Sequence, residues 1–580
     1  MADEFVTTLV SGVNDFIDPQ YLEATSYPAG VNVSSRGGTI HTRSRFVKVC
    51  DDIKDLVDLT DKERTGGRFQ GIFPMLNELY AVIAGNVYKS SNAETWTIVE
   101  GVTLNSLTRK VWATQVYDYL LINDGTSMPA VVGNYANRNL STQDGDPEIP
   151  AGTICAFGQG RIFFADPLRR VLQAADIYIP GDPGSALKFT EQAFLNESFS
   201  IRQPAAYGRI NAMKFVRNYQ SGNGLGQLVV WYEGGCCAYN VYESRVEWLN
   251  VQLGQSLFTL NGCGGSDFVA QINNDLFFRN DAGITTLRGA STETASGIRV
   301  LPISMPVYNR LKRDQTWTLE YGSIAVDDNR VLFTHGMRVD EHGDYFFDSL
   351  ISMDMASFYL NGETQMTFDD IWTGPKMTKV FVGTYQGQST IFVTAKGVDN
   401  TNTLWRLDDN ALYDSPKVRP RSRLYTKTMF YDSAFLFSRF KSAQLWFEDL
   451  KTDCDVKLYF RSDGGLWQEA TSGTFTVPYY VTDSSGVNYV LPQTRSKVLV
   501  PIAEDLCDPV TQREIRKGTG FQFCVEWKGI AKIPRMRFTA DAPDADNGEI
   551  ILSCTENEGI LLTNITGATL LYDYDEDFLL

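Results

Sequence analysis

Histidine is nearly missing from this sequence. Three occur in 580 residues, at positions 41, 335 and 342. The nine cysteines (50, 155, 236, 237, 263, 454, 507, 524 and 554) are scattered, and no C-x-x-C pair occurs among them. Zinc sites need clustered Cys and His, so no metal site is expected, and the thiols read as reduced, small core residues. His41 stands beside Arg43 and Arg45, His335 ends a strand-like run, and His342 falls in the acidic turn Asp340-Glu341-His342-Gly343-Asp344, read as a solvated hairpin tip. Cys236 and Cys237 sit beside Gly234-Gly235 in what reads as a turn, with one thiol pointing inward and a strained vicinal disulfide as the alternative.

Positive charge is also short. Lys and Arg number 52 against 70 Asp and Glu, a formal net charge of −18. Nucleic-acid affinity comes from neutralising phosphates, so this balance argues against a chain that grips DNA or RNA. It fits either simple solubility through self-repulsion or a surface that DNA passes without sticking. No uninterrupted apolar run reaches the roughly 18 residues of a membrane-spanning helix, and no membrane anchor is expected. The opening Met1-Ala2-Asp3-Glu4-Phe5 is acidic where a signal peptide is basic, so folding is expected in the cytoplasm where the chain is made.

Catalytic motifs are equally scarce. There is no G-x-S-x-G elbow, H-E-x-x-H helix or G-x-x-x-x-G-K-[ST] phosphate loop. Gly222-Asn223-Gly224-Leu225-Gly226 has the wrong spacing for a phosphate loop and reads as a turn. Ser90 to Trp96 resembles the Asp-box turn of sialidase propellers but lacks its Asp and Gly. No catalytic residue, cofactor-binding residue or metal ligand is assigned, no cofactor is expected, and the chain is read as a non-enzyme.

What the chain has in quantity is strand-forming sequence. It is 43% hydrophobic and 12% aromatic, with 34 Phe, 27 Tyr and 10 Trp set among Val, Thr and Ile, and 48 Gly and 21 Pro punctuate its length. That mixture predicts an all-β protein. Strand-turn-strand units begin near residues 79, 119, 161, 228, 275, 330 and 379, so successive starts lie 40, 42, 67, 47, 55 and 49 residues apart. A loose period of roughly 40–50 residues per four-stranded sheet predicts a β-propeller of about six or seven blades, with an array of β-sandwiches as the alternative.

The pattern changes near Ser415, where Pro416 and Pro420 are interleaved with Lys417, Arg419, Arg421 and Arg423, read as a linker or a contact for an acidic partner. Alternating runs such as Asp455 to Phe460 and Phe521 to Trp527 then predict a β-sandwich or jelly roll. The expected organisation is an extended N-terminal arm over 1–60, a propeller over 61–412, a sandwich-like domain over 413–549, and C-terminal strands with an acidic tail over 550–580.

The N-terminal blocks Gly12-Val13-Asn14, Asp18-Pro19, Tyr27-Pro28-Ala29-Gly30-Val31-Asn32-Val33, Arg36-Gly37-Gly38 and Thr42-Arg43 form a combined pattern. Together with Tyr117 to Asp124, Gly160 to Ala165 and Gly262 to Leu287, they resemble propeller proteins of the short-tailed bacteriophage virion. These are the tail nozzle or distal tail-tube hub proteins, some called stabilisation proteins. The resemblance spans roughly residues 10–340. It implies a ring of copies of this chain, six in number, in the virion tail. The ring would adjoin adaptor and portal-proximal proteins, carry tail fibres or spikes, and let genomic DNA pass without sequence-specific binding. The other readings are a head–tail connector or minor capsid protein, and a carbohydrate-binding or glycan-processing propeller.

Overall fold

Short runs such as Tyr119–Asn123 and Arg161–Ala165 are buried along their whole length, so both faces of the sheets they build are covered. A small antiparallel sheet achieves that only by packing between two others. The computed structural model describes residues 2–6, 9–53, 68–143, 146–191, 201–202, 207–216, 227–241, 254–259, 262–272, 275–290, 302–341, 343–355, 366–397, 401–431, 437–471, 473–478, 480–482, 484–490, 495–499 and 514–541. The chain is all-β and divides into two compact units, residues 45–351 with 373–409, and residues 1–44 with 352–372 and 410–580.

The first unit is a β-propeller. Among the described residues it contains seven successive antiparallel sheets, here called blades 1 to 7. Their first strands are Phe69–Met75, Trp112–Val116, Cys155–Gly158, Ile210–Val216, Val269–Ile272, Ile324–Asp327 and the later part of Thr367–Tyr385. Residues from all seven line one central cavity of about 520 Å³, which makes them the inner strands of a ring. Apolar clusters fill the spaces between neighbouring blades. Met75, Tyr80 and Val82 of blade 1 meet Leu120 and Ile122 of blade 2, and Tyr119 and Leu121 of blade 2 meet Ile162 and Phe164 of blade 3. Packing is close where blades converge: a Cβ on Gly158 would stand 2.4 Å from the Phe215 ring of blade 4.

Closure of the ring depends on a strand from far upstream. Blade 7 takes its first three strands from residues 373–408, and its fourth is Arg45–Cys50, antiparallel to Asn402–Asp408 with Phe46 opposite Leu407 and Cys50 opposite Leu404. Blade 1 is the next sheet in the sequence, so the two ends of the ring are joined by hydrogen bonds. Ile72, Leu79 and Ile83 of blade 1 complete that junction by packing with Phe381, Phe392 and Leu404 of blade 7. The expected arm over 1–60 is therefore corrected: residues 45–50 are a propeller strand, because an apolar strand left unpaired would expose a sheet edge at the seam.

The second unit is a β-sandwich. One sheet runs Arg495–Leu499, Ser438–Glu448, Lys532–Asp541, Ile40–Thr42 and Val33–Ser34, with Ala2–Val6 added to Lys532–Asp541. The other runs from residues 367–372 through Ala29–Val31, Arg421–Tyr425 and Phe521–Lys528 to Cys454–Ser462. Burial alternates along Ser438–Glu448 and Cys454–Ser462, as half-buried strands require. Phe440 and Phe538 of the first sheet meet Phe460 and Phe523 of the second, and the Phe523 and Phe538 rings stack with centroids 4.0 Å apart.

Here too the expected boundaries shift. Residues 2–42 are not an extended arm but contribute strands to the sandwich, and Arg421 and Arg423 lie in a strand of it, not in a linker. Both arginines bond Glu526 on the neighbouring strand, at 2.9 and 2.6 Å, and Arg419 pairs with Asp455. The expected strands and acidic tail over 550–580, the glycine turn at 222–226, His342, Cys507 and Cys554 lie outside the described residues.

Candidate binding site at the mouth of the propeller channel

The loops that enter the inner strands, and those joining second to third strands, meet at one end of the propeller around a second cavity of about 400 Å³. Its charged groups come from six blades, and most of them bind one another. Asp267, just before the inner strand of blade 5, is held by Lys110 from the loop entering blade 2 (2.7 Å, to Oδ2) and by Lys379 on the inner strand of blade 7 (3.2 Å, to Oδ1). Lys110 also donates to the Glu320 carbonyl at 2.8 Å. Arg169, from blade 3, pairs with the Glu320 carboxylate and lies over the Trp112 ring, 5.0 Å from its centroid. These bonds tie blades that are not neighbours in the ring, so they cross the mouth.

A second set runs around the rim. Asp344 of blade 6 accepts from Arg68 at 2.6 Å, before blade 1, and from Lys396 of blade 7 at 2.9 Å. Asp124 is turned into its own turn, accepting from the Thr126 and Ser127 backbone N–H groups at 2.7 and 2.6 Å. Arg109 is exposed at the rim, and its guanidinium has no hydrogen-bond or ion-pair partner among the described residues.

Burial alone would raise the Asp267 carboxyl, but the Lys110 and Lys379 ammonium groups outweigh it and hold Asp267 well below the usual carboxylate range. Burial pulls the Lys379 ammonium down, and Asp267 opposes that shift. Asp267 and Lys379 line both the mouth and the channel, so they form the floor of one and the ceiling of the other. Below them Lys214, on the inner strand of blade 4, opens on the channel; burial lowers its ammonium against the opposing charge of Asp267.

The residues singled out by sequence lie elsewhere. His335 is within the strand Arg330–Val339, with Nδ1 2.9 Å from Asp314, which also accepts from Arg279 at 2.5 Å, a buried polar trio inside the propeller wall. His41 is in a sandwich strand. Cys236 and Cys237 are both buried and belong to the strand Gly235–Asn240, not to a turn; both are free thiols. Asn92 organises the turn after Ser90, accepting from the Glu94 and Thr95 backbone N–H groups at 3.0 and 2.9 Å. Among the described residues no group of three or more His, Cys, Asp and Glu is placed to hold a metal ion. Lys110, Asp267, Lys379 and Lys214 carry no local motif; their only sequence signal is a charge in or just before an inner strand, and only ring closure brings Lys110 and Lys379 onto Asp267.

The N-terminal pattern proves to be a hydrogen-bonded node of the sandwich. Asp369 is fully buried and accepts from Ser34 Oγ (3.1 Å), Ser35 N (2.8 Å), Ser35 Oγ (2.9 Å) and Ser352 Oγ (2.8 Å). Arg43 reaches Asn32 at 2.8 Å and grips Asp414 through both terminal nitrogens. The Gly30 N–H donates to Asp370 at 2.9 Å, and a Cβ there would meet Val33 at 2.6 Å.

No family model and no curated protein matches this chain. Comparison with solved structures returns similar propellers. The structure described as YCF48 bound to D1 peptide has 9% identity over 60% of this chain and 93% of its own, with a TM-score of 0.34. The WD40 β-propeller domain of Doa1 has 10% identity over 63% and 97%, at 0.32. The Cps50 (Swd1) β-propeller domain of Myceliophteria thermophila has 10% identity over 59% and 98%, at 0.35.

Proposed function

We propose that this chain is a non-catalytic structural subunit of a bacteriophage tail, assembling with copies of itself into the nozzle or distal tail-tube ring through which DNA leaves the particle. The observation that carries the reading is how the charges at the propeller mouth are arranged. Lys110, Lys379 and Asp267, Arg169 and Glu320, and Arg68, Lys396 and Asp344 engage one another across the ring. Such cross-bracing suits a rigid scaffold. The sequence resemblance to nozzle proteins supports the same reading, and the residues that carry it build the sandwich node around Asp369 and Arg43.

In this reading the DNA path is the space enclosed by the ring of subunits, not the braced channel of one propeller. The net charge of −18 then repels the DNA backbone instead of holding it. Adaptor and portal-proximal proteins adjoin the ring, and fibres or spikes attach to it. A large interface repeated around a closed ring holds what single contacts would not.

Light scattering of the purified chain, with cryo-electron microscopy of any rings, tests the proposal. A closed ring of the 64.9 kDa chain with a DNA-wide central channel is expected. A monomer that joins no tail-like assembly overturns it. The aromatic residues at the mouth, Trp112, Tyr321 and Tyr345, favour a glycan-binding propeller as the second reading, and a glycan screen on that monomer is its test.

A further inference from the structure

Resting on the glycan reading of the mouth, and whether or not the chain forms a ring, we propose that the mouth of the propeller binds an acidic sugar. Its carboxylate pairs with Arg109, and its ring packs on an aromatic shelf formed by Tyr321 and Tyr345. The inference begins with the charges that line this cavity. Six are Lys or Arg and four are carboxylates, a local excess of two positive charges in a chain whose net charge is −18. Five of the six cations are engaged: Lys110 and Lys379 by Asp267, Arg68 and Lys396 by Asp344, and Arg169 by Glu320. The sixth is Arg109, whose guanidinium has no partner among the described residues.

An arginine on a loose loop loses much of its pairing energy to ordering, but the loop of Arg109 is already fixed. Gln70 of blade 1 is buried and donates through Nε2 to the Ser106 and Arg109 carbonyls, at 2.8 Å each. Its Oε1 accepts from the Gly85 N–H at 2.7 Å. The Arg109 N–H donates to Ser106 Oγ at 3.0 Å, and the Asn105 N–H to Ser127 Oγ at 2.6 Å. The backbone is held on blade 1 and blade 2 together, while the side chain it presents to the cavity stays free to pair.

The facing wall is aromatic. Lys110, next in the chain to Arg109, reaches the Glu320 carbonyl at 2.8 Å, which sets this loop against the segment that carries Tyr321. The Tyr321 and Tyr345 rings both line the cavity, with centroids 4.5 Å apart and planes tilted by 36°. Trp317, 52% exposed, meets the Tyr345 ring edge-on at 5.9 Å and carries the shelf outward. A pyranose has a face of C–H groups that packs on such rings, and its hydroxyls suit the polar tips of tyrosines. The planar guanidinium matches a carboxylate through two parallel hydrogen bonds. Within one cavity of about 400 Å³, a neutral sugar leaves Arg109 unused and an acidic peptide leaves the shelf unused. A sugar acid uses both.

The test is calorimetric titration of the full chain at pH 7 with three probes. They are trigalacturonic acid, the same trisaccharide with its carboxyls reduced to alcohols, and triglutamate. The acidic sugar is expected to bind at one site, about tenfold or more tighter than its reduced form, as the loss of a charge-assisted pair requires. Triglutamate should bind more weakly than the acidic sugar. Arg109→Gln breaks no side-chain contact among the described residues; it should abolish the preference for the acidic form and leave the melting temperature unchanged. Trp317→Ala should weaken both sugars alike, by about threefold or more. Binding of neither sugar would overturn this proposal and the glycan reading together. Equal binding of the two sugars, or a preference that survives Arg109→Gln, would overturn the proposal and leave the glycan reading standing. Triglutamate binding as tightly as the acidic sugar would also overturn it, in favour of an acidic peptide.

Discussion

Lys110 and Lys379 hold opposite oxygens of Asp267, at 2.7 and 3.2 Å, and so tie blades 2, 5 and 7 of the propeller through one carboxylate. The three side chains are mostly shielded, with 12%, 11% and 24% exposure for Lys110, Lys379 and Asp267. Removing the carboxylate leaves two ammonium groups facing each other. Asp267→Asn is expected to destabilise the propeller by about 2–3 kcal/mol, toward the low end for a broken buried pair. Urea unfolding followed by tryptophan fluorescence measures it.

The same carboxylate gives a pH dependence of defined sign. Asp267 is held below its usual range in the folded chain, so its contribution to stability is complete above the unfolded-state value of about 4. It is lost as the pH falls below that value toward the folded one. Asp314, lowered in the fold by His335 and Arg279 against the effect of burial, adds a contribution of the same sign. Melting temperatures measured between pH 7 and pH 2 should fall chiefly below about pH 4, and less so in Asp267→Asn.

Ring closure predicts a large effect from a residue far from the rest of its blade in sequence. Phe46 is buried on the closing strand, opposite Leu407. Phe46→Ala should cost about 3–5 kcal/mol, the usual range for emptying a buried phenylalanine site. It should also speed proteolysis near residues 45–50, because the seam between blades 7 and 1 opens first. Limited proteolysis with mass mapping reads this directly.

Asp369 makes a comparable prediction for the sandwich. Four donors converge on a carboxylate with no exposure to water. Asp369→Ala strands them and should cost about 3 kcal/mol or more, since each buried unsatisfied donor carries its own desolvation penalty. Calorimetry resolves the loss if the two units melt separately.

Cys155 tests the channel from within. It lines the cavity, yet burial pushes its thiol up to about 12, with Asn123 opposing the shift. The thiolate is the reactive form, so Cys155 should resist a thiol reagent at pH 8 in the folded chain and react once the chain is unfolded. Peptide mapping after labelling follows that one site. Rapid labelling in the folded state would show that the channel is wetter than its lining implies.

Much of the β architecture was legible because it is local. Apolar runs with turn residues between them mark strands wherever they occur. The recurring starts at 79, 119, 161, 228, 275 and 330 fall in the second strands of blades 1 to 6, while 379 falls in the first strand of blade 7. The sandwich was legible in the alternation of Cys454–Ser462 and Phe521–Lys528.

What sequence alone determined, then, is the period, the strand content, the excess of negative charge and the N-terminal pattern around Gly30 and Arg43. Tertiary structure decided everything that depends on distant partners. The strand Arg45–Cys50 looks like any short apolar run, and only its pairing with Asn402–Asp408 makes it the closing strand. Residues 2–42 read as an arm because their partners, such as Asp369, Asp414 and Lys532–Asp541, lie hundreds of positions downstream. Lys110, Lys214, Asp267 and Lys379 are ordinary surface-type charges in the sequence. A closed ring brings Lys110, Asp267 and Lys379 together, mostly shielded from water, where each charge acts on its neighbours far more strongly than it would in bulk solvent, and leaves Lys214 exposed on the channel.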